Sequence, residues 1–315
     1  MQRVKLGCSG IEVSRLCFGT LTVGPLQAAL PPENAAKIFA YAIERGVDFF
    51  DTAQLYGTYE HLRLAMEYSG RYDIVISSKT YAHTAELAEV AVEEALRALN
   101  RDYIDIFMLH EQETAHTLRG HKPALERLLK YKQDSIIRAV GVSMHYVEAV
   151  REAVRLGIDI IHPLMNMAGL GIADGSREDM EAAVKNAHEC GVGVFAMKPL
   201  GGGNLFRDAE RCFDYIKGLD FVDSFAVGMQ SIEEVDANIG YLNTGKFTPE
   251  EKARLAAKKR RLHIESWCEG CGGCVERCGQ AALHMRENHA VCDDERCLLC
   301  GYCAPVCDMG AIKII

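Results

Sequence analysis

The sequence predicts an α/β protein: a closed (β/α)8 parallel barrel over residues 1–245, a connecting helix over 246–263, and a small α+β module over 264–315. Three observations carry that reading. Strand-like and helix-like segments alternate from residue 15 to residue 242, giving eight strand-then-helix units in a length that fits a closed barrel. No Gly-x-Gly-x-x-Gly stands between a strand and a helix, so an open doubly wound sheet that binds dinucleotides in that style is the weaker choice. Nine of the thirteen cysteines fall in the last fifty residues, which sets that stretch apart.

The chain opens with Val4 to Leu6 and Ile11 to Val13 on either side of Ser9-Gly10, a hairpin pattern. The strand candidates follow as apolar runs: Arg15 to Thr20, Val47 to Asp51, Ile74 to Lys79, Ile104 to His110, Ala139 to Ser143, Ile158 to His162, Gly193 to Lys198 and Ser224 to Met229. Amphipathic segments lie between them, such as Glu33 to Arg45, Thr84 to Asn100, Arg177 to Cys190 and Ile232 to Leu242, each ended by Gly, Asn or a charged turn. The helix after the eighth strand returns the chain to the N-terminal end of the barrel. Pro249 suits the first turn of a new helix, and Glu250 to about His263 holds no Gly or Pro, enough for a helix of roughly 20 Å. Climbing the outer wall, that helix would deliver Trp267 and the module to the end where the strands finish.

With 49% apolar and 25% charged residues in 315, the chain has material for a large core and a small second unit. A net charge of -9 argues against a nucleic-acid partner, which requires basic patches against phosphates. The one cationic cluster, Lys258-Lys259-Arg260-Arg261, is expected on the helix before the module, solvated or packed on it. No long apolar span and no basic-then-apolar leader is present, so a membrane is not expected and a reducing cytoplasm is. Cys8, Cys17, Cys190 and Cys212 share no spacing and are expected as small buried hydrophobes.

The module reads Cys268-x2-Cys271-x2-Cys274-x3-Cys278 and, after a spacer, Cys297-x2-Cys300-x2-Cys303-x3-Cys307. Three thiols at i, i+3 and i+6 can wrap one iron-sulfur cubane, while the fourth lies too far along to join it easily. Tetrahedral zinc competes as a reading, but it normally draws two Cys-x2-Cys pairs and not two runs of four thiols. These residues resemble a bacterial-type two-cluster ferredoxin, including the echo of Ala281-Ala282-Leu283 in Gly310-Ala311-Ile312; Gly279 and Asp308 stand where such ferredoxins carry proline. In that family the fourth cysteine ligates the other cluster. The resemblance therefore implies one 4Fe-4S cluster on Cys268, Cys271, Cys274 and Cys307, and a second on Cys297, Cys300, Cys303 and Cys278. Cys292 matches no ligand slot.

In a barrel of this kind chemistry sits at the C-terminal ends of the strands. Asp51 ends the second strand candidate, Tyr56 follows in the next loop, Lys79 ends the third and His110 the fourth. A carbonyl that accepts hydride becomes an alkoxide and needs a proton from an acid still protonated at neutral pH. Tyrosine, with an ordinary pKa of about 10, fits. An ammonium such as Lys79 favours the phenolate, a carboxylate such as Asp51 fixes that ammonium, and His110 orients the carbonyl by hydrogen bond. Each residue alone has an ordinary reading as a buried ion pair, a packed ring or a core histidine; the four together at one barrel face do not. Here residues 1 to 245 resemble the aldo-keto reductases.

That resemblance implies NADP(H) across the same face, its carboxamide near Ser143 and Asn166, its phosphates near Lys198, Pro199, Leu200 and Gly201, and its adenosine near Gly228, Ser231, Glu234 and Asn238. Ser231 begins a helix whose N-terminus suits a phosphate, and equally serves as an N-cap. Met144 departs from the family where relatives carry Asn, and Met197 where relatives stack an aromatic ring on the nicotinamide. The whole reads as an oxidoreductase acting on a small carbonyl or alcohol and coupled to iron-sulfur electron transfer, with an external ferredoxin or similar redox partner. The alternative is a non-catalytic redox-sensing or electron-carrier subunit that binds nicotinamide and docks on a partner. NADPH delivers two electrons as hydride whereas a cubane passes one, and no flavin signature converts between them.

Overall fold

The computed structural model describes residues 1–315. Eight parallel strands close into a barrel: β1 (Leu16–Gly19), β2 (Phe49–Asp51), β3 (Val75–Thr80), β4 (Ile104–Leu109), β5 (Ile137–Met144), β6 (Ile160–Pro163), β7 (Gly193–Met197) and β8 (Ser224–Gly228). Closure comes from β8 pairing with β1, with Phe225 opposite Leu16 and Gly228 opposite Gly19. Each strand lies where an apolar run ends in a turn signal, because strands buried on both faces need continuous apolar sequence.

The pleat sends alternate residues inward, so Cys17, Phe49, Ile106, Ile160 and Phe195 fill the interior. Phe49 and Phe195 meet there with ring centroids 4.9 Å apart. Their neighbours Phe18, Phe50, Phe107 and Val194 point outward into the larger core under the helices. Leu6, Ile11 and Val13, on and beside the hairpin of Arg3–Lys5 with Glu12–Ser14, plug the N-terminal end of the barrel. Only the C-terminal end is left open for chemistry.

Helix boundaries follow local chemistry. In Ala85–Leu99, the Thr84 hydroxyl accepts from Leu87 N at the start, and Asn100 at φ 53 turns the chain out at the end. Cys17 and Cys212 are buried as expected; Cys8 and Cys190 are exposed, because both fall in turns outside the plugged end. No helix is long and apolar enough to cross a membrane.

The connecting segment differs from the expected helix to His263. The helix Pro249–Ala257 has nine residues, Lys258 turns to extended backbone, and Leu262–Ile264 forms a strand paired antiparallel with Ile312–Ile314. Absence of Gly and Pro permits a helix, but pairing with the chain's own C-terminus buries Leu262 in the module core and prevails. The basic run is accordingly not a helix face. Lys258 Nζ lies 2.7 Å from Glu234 Oε1 and 3.1 Å from Gln230 Oε1, and Arg260 lies 3.8 Å from Glu234.

The module adds a second hairpin, Leu283–Arg286 with His289–Cys292, and the short helices Gly273–Arg277 and Ala304–Val306. It sits over the open end of the barrel. Ile314 N donates to Gly202 O at 3.1 Å, and Asn204 Nδ2 donates to Ile312 O at 3.0 Å. A Cβ on Gly203, at φ 85, would stand 2.0 Å from Ile314 O, so only glycine lets the tail come this close. The module thus reaches the catalytic face even though the helix that leads to it is short.

Candidate active site and cysteine module

The ends of three adjacent strands bring Asp51, Tyr56, Lys79 and His110 together. Lys79 Nζ donates to both Asp51 carboxylate oxygens at 2.8 Å and to Thr52 O at 2.6 Å, which uses its three protons. The same ammonium lies over the Tyr56 ring, 4.8 Å from its centroid. His110 stands edge-on to Tyr56, centroids 5.6 Å apart, and stacks on Tyr81 at 4.4 Å. Its Nδ1 is buried with no hydrogen-bond partner.

Burial by itself would raise the Asp51 pKa, but Lys79 and His162, whose Nε2 is 3.6 Å away, outweigh it and hold the carboxyl at about 2. Burial pushes the Tyr56 hydroxyl well above the usual tyrosine value, and Asp51 and Glu111 push the same way. The sequence suggests instead that Lys79 draws it down. In the resting site burial prevails, with the ammonium shared between Asp51 and the ring, and the phenol stays protonated. Burial, then the Lys79 charge, lower His110 to about 3, so its imidazole is neutral. The site offers a protonated phenol and a neutral imidazole side by side.

Two cavities meet at Tyr56. The larger, about 380 Å³, is lined by Tyr56, Tyr81, His110, His145 and Lys198 of the barrel and by Glu265, Trp267, Met309 and Lys313 of the module side. The other, about 200 Å³, runs from Asp51, Tyr56 and His162 past Pro199, Leu200 and Gly228 to Gln230, Glu234, Lys258 and Arg260. Of the residues expected around NADP(H), Lys198, Pro199, Leu200, Gly228 and Glu234 line this cleft, and Gly201 lines the larger cavity.

Ser143, Asn166, Ser231 and Asn238 line neither cavity. Ser143 Oγ accepts from Glu111 N at 2.8 Å, and the Asn166 amide closes on Leu170 and Ala168 backbone. Ser231 caps Ile232–Thr244 by accepting from Glu234 N at 3.4 Å, and Asn238 is buried within that helix. His162 also lines the cleft, and it ends the sixth strand candidate just as Lys79 ends the third. Gln230 follows the last strand in the same way. Lys258 and Arg260 reach the cleft only because the chain turns extended after Ala257. Thr22 Oγ1, buried in the cleft wall without a partner, and this basic pair suit the sugar and phosphate of a dinucleotide.

None of the thirteen cysteines is joined in a disulfide. A cavity of about 90 Å³ is lined by Cys268, Cys271, Cys274 and Cys307 together with Ile264, Ala290 and Ala311. Burial raises the Cys274 thiol, and Cys307, Cys268 and Cys271 raise it further, which marks the four as neighbours. Burial takes Cys303 up to about 12, with Cys297 and Cys300 next to it. Cys292 lies beside Cys297, and burial with that neighbour lifts it to about 12. The fourth thiol of each run receives a backbone N–H at 3.3 Å, Cys278 from Ala282 and Cys307 from Ala311. No three His, Cys, Asp or Glu side chains converge on a site for a single ion.

A closed (β/α)8 barrel with Asp, Tyr, Lys and His at its open end defines an oxidoreductase-type barrel. The chain belongs to the Aldo/keto reductase family, whose model matches residues 15–218. It is 27% identical over 218 residues to Probable aldo-keto reductase 1 of Glycine max, and 26% identical over 215 residues to L-galactose dehydrogenase of Arabidopsis thaliana; each match covers 64% of this chain. The chain spans 60% and 66% of the lengths of those relatives. An aldo-keto reductase from Bacillus halodurans, in its holo form, superposes with a TM-score of 0.65 at 24% identity, over 81% of this chain and 95% of that one. The family match ends before β8 and leaves the cysteine module outside it.

Proposed function

We propose that this protein is an oxidoreductase that interconverts a small carbonyl compound and its alcohol at Tyr56, and that its module carries two 4Fe-4S clusters in electronic contact with that site. One observation carries the coupling. Asp308, Met309 and Ile312 line both the thiol-ringed cavity and the cavity of Tyr56 and His110, so the two sites share a wall. The inner cluster would be held by Cys268, Cys271, Cys274 and Cys307, and the outer by Cys297, Cys300, Cys303 and Cys278. Backbone N–H groups on Cys278 and Cys307 suit thiolate ligands.

Tyr56 donates its proton to the carbonyl oxygen as that oxygen gains charge, and neutral His110 orients the oxygen. Lys79, fixed by Asp51, keeps positive charge over the ring and offsets the phenolate left behind. NADP(H) in the adjoining cleft would be held by Pro199, Leu200, Gly228, Gln230, Glu234, Lys258 and Arg260, and supplies hydride when bound. Clusters in the module supply electrons singly when bound. Converting a carbonyl to an alcohol takes two electrons and two protons: hydride would bring both electrons and the hydrogen on carbon, Tyr56 would bring the proton on oxygen, and the two clusters, one electron each, would together serve to return NADP+ to NADPH with a proton from solvent. Leu298 and Tyr302, 58% and 66% exposed beside the outer thiols, mark the side from which a carrier such as a ferredoxin would approach.

Anaerobic isolation followed by iron and sulfide analysis tests the module, with eight irons expected per chain. Zinc in their place would overturn the redox reading. Turnover of a carbonyl by Tyr56→Phe at the wild-type rate would overturn the catalytic one.

A further inference from the structure

The larger cavity holds two lysines that the proposed proton transfer does not use. Lys198 comes from the end of β7 and Lys313 from the last strand of the module. Neither makes an ion pair. Lys198 Nζ lies 3.0 Å from His145 Nε2, and Lys313 Nζ donates to Gly310 O. Four carboxylates also line this cavity: Glu265 is engaged with Gln27 and His263, Glu111 with the Tyr81 hydroxyl and, at 3.7 Å, with His145, and Glu113 and Asp308 pair with neither lysine. Lys313 is only 7% exposed and lacks a direct ion-pair partner, and a buried cation left unpaired is costly.

The backbone aims both side chains. Lys198 has φ 58, a left-handed conformation that a residue with a Cβ keeps only where its surroundings impose it, and such strain gathers at ligand sites. In Ile312–Ile314 the two isoleucines pack into the module core, so the period of two turns Lys313 toward the barrel mouth. Burial and then Lys198 lower the Lys313 pKa to about 7, and the opposing pull of Glu265 and Glu111 does not cancel them, as expected for two cations facing one cavity with no carboxylate in ion-pair range of either.

We propose that Lys198 and Lys313 together seat an anionic group of the substrate, so that the compound reduced at Tyr56 is an oxo acid whose carboxylate bridges barrel and module. The assignment of substrate class rests on the reading of Tyr56 as the proton donor in this cavity. Since Lys313 arrives on the last strand, the seat is complete only when the module is docked. Both lysines also border the adjoining cleft, so a dinucleotide phosphate is the other source of the same charge.

Trp267, the sole tryptophan, lines the cavity and reports its occupancy without turnover. The anaerobic holoprotein would be titrated with succinic semialdehyde, with butanal and with inorganic pyrophosphate. Succinic semialdehyde should bind at least about 10-fold more tightly than butanal, because a hydrogen bond to a charged group is worth about that factor. Lys313→Met and Lys198→Met should each weaken the acid about 10- to 100-fold, collapsing the preference, while Lys313→Arg retains most of it. Iron content of each variant reports whether the module is folded, and Lys198→Met tests the seat from the barrel side alone. Equal binding of acid and aldehyde by the wild type, or a preference kept by both Met variants, would overturn the proposal. Variants that lose pyrophosphate and keep succinic semialdehyde would assign the anion to a cofactor phosphate and overturn it too. A preference that persists in a protein inactive toward both compounds supports the seat and counts against the Tyr56 chemistry alone.

Discussion

Replacing Lys79 with methionine removes one half of a buried ion pair and leaves the other half in place. Lys79 is 1% exposed and Asp51 4%, and after the substitution the carboxylate keeps only His162, 3.6 Å away. Stranding a charge this deep costs about 3–5 kcal/mol, because neither water nor a counter-ion replaces the ammonium. In a chain of this size 1 kcal/mol corresponds to roughly 2–4 °C in Tm, so Lys79→Met should melt about 6–20 °C lower. Adding Asp51→Asn removes the stranded charge and should restore at least about half of the loss, the remainder reflecting Thr52 O without its donor. Urea unfolding of the anaerobic holoprotein, read by far-UV circular dichroism, measures all three chains. A single variant within about 1 kcal/mol of wild type, or a double variant no better than the single, would refute the argument that this pair is held by mutual charge compensation.

Further outcomes follow from the same geometry. Tyr56→Phe should lower kcat for carbonyl reduction by about 100-fold or more with iron content unchanged, checked by steady-state kinetics alongside metal analysis. Because burial and Lys79 hold His110 at about 3 and burial keeps Tyr56 above its usual value, kcat should be flat from about pH 5 to pH 9; an alkaline limb well below pH 10 would show that Lys79 does draw the phenol down. Cys307→Ser should lose the inner cluster, visible as a fall of about half the iron, whereas Cys292→Ser should keep all of it. Gly203→Ala puts a Cβ against Ile314 O and should loosen the tail, raising proteolysis after the barrel while the barrel itself stays folded.

The barrel was legible because each strand is a short apolar run closed by a polar residue, and those closing residues are the site. Asp51, Lys79 and His110 could be named from that pattern alone. His162 carried the same signal and was missed because a histidine between apolar neighbours also reads as core. The cysteine spacing gave the grouping of Cys268, Cys271 and Cys274, and the proximity of Cys307 to them depends on the module folding back on itself. What sequence could not reveal depends on pairing across distance. Leu262 and His263 read as helix until the C-terminal strand is there to pair with them, and only that pairing turns Lys313 toward the barrel. Nothing local in the sequence shows that Ser143 Oγ accepts from Glu111 N or that Asn166 closes on the Leu170 backbone.

The most direct test of the account is whether the clusters and Tyr56 work as one unit. The anaerobic protein would be reduced with dithionite, freed of excess reductant and mixed with NADP+ and a carbonyl probe such as succinic semialdehyde in a stopped-flow spectrometer. Return of the oxidised cluster absorbance in step with alcohol formation, and its loss in Tyr56→Phe with the clusters intact, is the predicted result. Reduced clusters that ignore the probe, or reoxidise equally fast in Tyr56→Phe, would contradict electronic contact between the two sites.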